Sequence, residues 1–152
     1  MRLIIILAAI PMALLFQGCK SVRDIGSQSP YSEMIGEKFV LEQDCYIFRF
    51  KDKRDTLFVA NSSMVRYLPD IVSLELAQKK YKNVEIVGII GKGSVFTVVA
   101  CMEEKSPEDI FQRFKATFDN PSFNGEIIDV SYLTDLTKTP PEFEAISAKP
   151  LE

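Results

Sequence analysis

Histidine is missing from all 152 residues of the chain. Without imidazole, the usual Ser-His-Asp and Cys-His catalytic arrangements are excluded, and so are His-ligated zinc and haem sites. Tryptophan is missing too, so eleven phenylalanines carry most of the aromatic burial. The three cysteines, Cys19, Cys45 and Cys101, form no Cys-x-x-Cys pair, which removes the usual signature of a redox enzyme. There is no basic excess. Eighteen Lys and Arg stand against 21 Asp and Glu, and a formal charge of −3 has the wrong sign for a nucleic-acid binder. A phosphate loop is also lacking: Gly91-Lys92-Gly93-Ser94 has neither the upstream Gly at the required spacing nor a Ser or Thr directly after the Lys. It reads as a turn.

What is present begins at the N-terminus. Met1 and Arg2 make a minimal positive start, and Leu3 to Phe16 runs without a charge. That stretch falls short of the ~20 residues a membrane-spanning helix needs. Pro11 interrupts it, which suits an export signal better than a permanent span. Gln17, Gly18, Cys19 and Lys20 then change the composition abruptly. Residues 1–18 are expected to be a signal peptide. Its removal takes Arg2 from the 18 basic residues and leaves 17 against 21 acidic ones, a formal charge of −4.

Gly18-Cys19 after this apolar run resembles the end of the lipobox of bacterial lipoproteins, with Phe16 and Gln17 standing where that family favours Leu and a small residue. The resemblance implies lipidation of Cys19 as the first mature residue, with ordinary cleavage and an uncleaved anchor as alternatives. It implies a multiply acylated, palmitate-type anchor, and stable anchoring does take more than one acyl chain. Lys20, rather than Asp, follows the cysteine. By the family's sorting pattern this favours the outer membrane, facing the periplasm, over the inner membrane.

Residues 19–36, rich in Ser and Gly, are expected to form a flexible tether. Residues 37–136 are expected to be one β-rich domain, and 137–152 a mobile tail. Within the domain, 38–41 is a short apolar strand. Asp44 to Phe50 alternates, with Tyr46, Phe48 and Phe50 on one face and Cys45, Ile47 and Arg49 on the other. The turn KDKRD (51–55) leads into a partner strand at 56–60. Leu68-Pro69-Asp70 breaks the chain, and 71–81 leans to helix. Val84–Ile90 and Val95–Met102 are expected to form a central hairpin about Gly91–Ser94. Ser106-Pro107-Glu108-Asp109 predicts a short helix start before a strand containing Phe114, Ala116 and Phe118. Turns follow at Asp119-Asn120-Pro121 and Asn124-Gly125, and Glu126–Leu133 is expected to be the last strand.

The fold class predicted is mainly β with one or two short helices, as a small barrel or a curled antiparallel sheet. The segment KFVL-x-x-D after Gly36, the Leu68-Pro69 break, the Gly-turn hairpin and FDNPSFNGEIIDVSYL (118–133) resemble the Src-homology-3-like barrels of uncharacterised bacterial lipoproteins. That resemblance implies binding rather than catalysis.

Candidate chemistry is sparse. Cys45 and Cys101 either pair as a disulfide in an oxidising compartment or stay as two buried thiols. The basic clusters KDKR (51–54) and KKYK (79–82) are either contacts for anionic headgroups or wall polymers, or solvated turns. Glu103, Glu104, Glu108, Asp109, Asp129 and Asp135 contain no pair whose spacing singles it out for acid–base work. No catalytic residue, metal or cofactor is therefore expected. The functional expectation is an anchored, non-catalytic module contacting the membrane through Cys19 and another envelope protein or wall polymer. The alternative is a periplasmic inhibitor that blocks a hydrolase with KDKRD or the Asp119–Asn124 turn.

Overall fold

The computed structural model describes residues 20–61, 83–135, 138, 142–144 and 147–151. Strands dominate. They are β1 (Ser21–Asp24), β2 (Lys38–Leu41), β3 (Cys45–Phe50), β4 (Leu57–Ala60), β5 (Val84–Ile90), β6 (Val95–Lys105), β7 (Ile110–Phe118), β8 (Ile128–Asp129), β9 (Thr134–Asp135), β10 (Glu142–Phe143) and β11 (Ala148–Pro150). The helical elements among the described residues are three-residue 3-10 turns at Tyr31–Glu33, Pro121–Phe123 and Ser131–Leu133. The mainly β class is as expected.

Nine strands make one sheet in the order β11-β2-β6-β7-β8-β4-β3-β5, with β1 also paired to β6. Among the described residues the path is open at both ends and closes no barrel. Pairing is antiparallel except for β4 against β8, which makes the sheet mixed rather than purely antiparallel. Strands β9 and β10 pair separately as a two-stranded antiparallel sheet.

Strand β3 shows why the sheet is apolar on both faces. Its side chains alternate as the pleat requires. Cys45 and Ile47 enter the larger core cluster with Phe96, Val98, Cys101, Phe114 and Ile128. Tyr46 and Phe48 join Phe58, Val84 and Ile86 in a second cluster, with Phe50 packed against it. Each fully buried large side chain contributes roughly 1.5–3 kcal/mol.

Five local expectations need correction. The strands 84–90 and 95–102 exist, but they do not form a hairpin together: β5 pairs with β3, and β6 with β1, β2 and β7. Gly91–Ser94 is instead held by the β2 end of the sheet. Gly93 N donates to Leu41 O at 2.8 Å, Leu41 N to Ser94 O at 2.9 Å, and Lys92 N to the Asp44 carboxylate at 2.7 Å. This leaves β5 at the end of the strand path, with Val87 and Ile89 exposed. The partner of β6 is β7, and Ser106–Asp109 is the turn between them rather than a helix start. Asp109 N donates to Ser106 Oγ at 3.1 Å, the same bond a helix cap would make. The alternating strand that follows decides the outcome.

The expected strand at 126–133 shortens to Ile128–Asp129 and passes into the 3-10 turn Ser131–Leu133. The tether expected over 19–36 is not one in its described part. β1 pairs with Met102–Lys105, Ile25 is buried, and Gly36 N donates to Val98 O at 2.8 Å. The described part of the expected tail is also packed. Phe143 sits 4.4 Å from Phe39 and 5.3 Å from Phe96 between ring centroids, Ala148 is buried, and β11 pairs with β2. The expected helix at 71–81 lies outside the described residues.

Candidate functional site

The alternation Phe111-Gln112-Arg113-Phe114-Lys115-Ala116 sends Phe114 and Ala116 into the larger core and leaves Arg113 and Lys115 on the other face. Register then places their partners. Arg113 lies opposite Met102, Lys115 opposite Asp129, Val22 opposite Glu104, and Phe58 opposite Asp129. Directly opposed residues share a face. One stretch of sheet surface, from β1 across β6 and β7 to β8 and β4, therefore gathers these side chains around a cleft of about 310 Å³.

Asp129 anchors this cleft. Its side chain is fully buried, yet its oxygens are well supplied: Ser131 N donates at 3.0 Å, Lys115 Nζ at 3.0 Å, and Arg113 Nη1 lies 3.6 Å away. A buried carboxylate persists only when paired and hydrogen-bonded. Here the pairing also fixes two cations at the cleft floor. Arg113 Nε donates to Glu104 at 2.7 Å, and Lys20 Nζ reaches the other oxygen of Glu104 at 3.2 Å. Burial works against the Arg113 charge, but Glu104 and Asp129 outweigh it and raise the guanidinium pKa. The hydrogen bond from Arg113 holds the Glu104 carboxyl below its usual range. A general acid at neutral pH needs the opposite shift.

The expected site residues are scattered. Cys19 lies outside the described residues, as does the KKYK cluster. Cys45 and Cys101 are free thiols, both buried in the larger cluster, so the disulfide left open by the sequence is not formed. Burial pushes each thiol up to about 12, and that makes both inert as nucleophiles near neutrality. Glu103 pairs with Arg23 and Lys105 at the sheet surface. Glu108 and Asp109 sit in the β6–β7 turn, and Asp135 is on β9. Only Glu104 and Asp129 of the six carboxylates meet in the cleft. Of the KDKR cluster, Lys53 reaches its lip while the turn stays exposed. The Asp119–Asn124 turn is closed internally by Ser122 N donating to the Asn120 side chain at 2.9 Å.

Arg113, Lys115 and Lys20 escaped the sequence reading. The signal for the first two was the face complementary to Phe114 and Ala116, two cations at alternate positions of one strand. Among the described residues no group of three His, Cys, Asp or Glu side chains converges as a metal set. No family model, curated protein or solved structure matches the chain.

Proposed function

We propose that the chain is a lipid-anchored module of the bacterial cell envelope, held through Cys19, that binds an envelope component without catalysing a reaction. The observation that carries this reading is the uncharged run Leu3–Phe16 ending at Gly18-Cys19. The non-catalytic part draws on the missing histidine and on cleft carboxylates committed to ion pairs. Lys20 after the cysteine favours the outer membrane, facing the periplasm. Ser21 already belongs to β1, and two residues of chain reach at most about 7 Å. A lipid on Cys19 therefore holds the sheet against the bilayer surface, with the Lys20 side of the cleft close to it.

Intact mass of the protein purified from envelopes tests the reading. The expected result is a chain beginning at Cys19 with added acyl mass, and loss of both processing and membrane partition in Cys19→Ser. Recovery of a soluble chain that retains Met1 overturns it.

A further inference from the structure

We propose that the cleft between β1, β6, β7, β8 and β4 is an anion site whose ligand carries a terminal phosphate. Four cations line it, Lys20, Lys53, Arg113 and Lys115, against two carboxylates, Glu104 and Asp129. The formal excess is two positive charges, which a phosphate dianion neutralises and a single carboxylate does not.

Hydrogen-bond capacity runs the same way. Arginine offers five N–H donors and each lysine three, while carboxylates only accept. Arg113 directs Nε to Glu104, and Lys115 directs one ammonium hydrogen to Asp129. Arg113 Nη1 also lies 3.6 Å from Asp129 and Lys20 pairs with Glu104, which leaves donors to spare on both Arg113 and Lys115, and Lys53 and Thr56 line the same cleft. Lys53 makes no ion pair among the described residues.

The site is built rather than incidental. Arg113 and Lys115 project from one rigid strand, side-chain exposure is only 25% and 20%, and the wholly buried Asp129 sets their positions. A guanidinium beside an ammonium, both preorganised, is the arrangement that recognises phosphoryl oxygens. Val22 and Met102 add an apolar wall on the same face. The cleft thus takes a phosphate joined to an apolar group. Two sources share that chemistry, a soluble phosphomonoester and the headgroup of a phosphatidic-acid-like lipid. Phosphate binding in the cleft does not require a lipid at Cys19.

Calorimetric titration of the purified full-length chain tests it, with inorganic phosphate, phenyl phosphate, dihexanoyl phosphatidic acid below its micelle concentration, and dihexanoyl phosphatidylcholine. The three terminal phosphates are expected to bind and the choline lipid not. Comparable affinity for phenyl phosphate and the phosphatidic acid identifies a soluble monoester. A preference of tenfold or more for the phosphatidic acid identifies the lipid headgroup, taking about tenfold as one lost charge-assisted contact or its apolar equivalent. Lys53→Gln lies in an exposed turn where the fold does not need the charge, and Lys115→Gln keeps an N–H for Asp129. Each is expected to weaken phosphate binding at least about tenfold. Absence of binding by every phosphate, equal binding of the choline lipid, or unchanged affinity in both variants overturns the proposal.

Discussion

Asp129 shows how one residue holds a surface together. It is buried, but it faces two cations that remain partly exposed, so it desolvates one charge while leaving the other two in contact with water. Removing one member of such a buried pair is costly because the remaining charges lose their partner. Asp129→Ala is expected to destabilise the fold by about 2–4 kcal/mol, discounted for the exposure of Arg113 and Lys115. A lower urea midpoint with unchanged slope checks it.

The two thiols supply a second residue-scale prediction. Their folded pKa of about 12 lies above the ordinary thiol value of 9.0, so their contribution to stability is complete below pH 9 and falls as pH rises towards 12. At pH 10 the loss is on the order of 1 kcal/mol for each thiol. It is measured as the extra alkaline destabilisation of the native chain over a Cys45→Ala, Cys101→Ala variant. Equal pH dependence in the two proteins would refute it.

At the scale of elements, what matters is how each segment satisfies its backbone. The Ser106–Asp109 turn and a helix start share the same Ser-to-N–H bond, and local chemistry cannot choose between them. Nine residues of β7 paired along β6 make the choice. Ser106→Ala is accordingly expected to cost about 1 kcal/mol by loosening the hairpin, with increased amide hydrogen exchange confined to the turn and adjoining strand ends.

The C-terminal segment behaves as an element because Phe143 fills the space between Phe39, Phe96 and Phe114. Phe143→Ala is expected to cost about 2–3 kcal/mol, less than for a fully buried phenylalanine because the ring is only partly buried. A chain in which 137–152 were a loose tail would show no change in its urea midpoint. β5 carries its own constraint. A Cβ on Gly88 would stand 3.0 Å from the Phe123 ring, so glycine leaves room for that ring against the strand.

Across the whole molecule, surface ion pairs give the pH response on the acid side. Glu42, Glu85, Glu103 and Glu104 are held below the usual glutamate range, chiefly by hydrogen bonds from Lys149, Arg49, Arg23 and Arg113 in that order. A depressed carboxyl stabilises the fold above the unfolded value of about 4.3 and stops doing so as pH falls through its folded value. Thermal melting is therefore expected to fall below about pH 4.5, more steeply at low salt than at high salt, because exposed pairs are screened. A melting temperature flat from pH 5 to pH 3 would contradict this.

Several features follow from local pattern alone. Period-two alternation fixed the faces of β3, with Tyr46, Phe48 and Phe50 on one side and Cys45 and Ile47 on the other, because the pleat permits no other arrangement. Turn residues marked Lys51–Asp55, Asn120–Pro121 and Gly125, whose φ of 82° suits glycine. Strand pairing was not legible, since hydrogen-bond partners far apart in the chain leave no periodic trace. Only the tertiary structure separated β5 from β6, laid β8 parallel to β4, drew β1 and β11 into the sheet, and left the two core thiols free. The cleft belongs to the same category. Lys20, Lys53, Glu104, Arg113, Lys115 and Asp129 come from distant segments, and only the register of neighbouring strands makes them one charged surface.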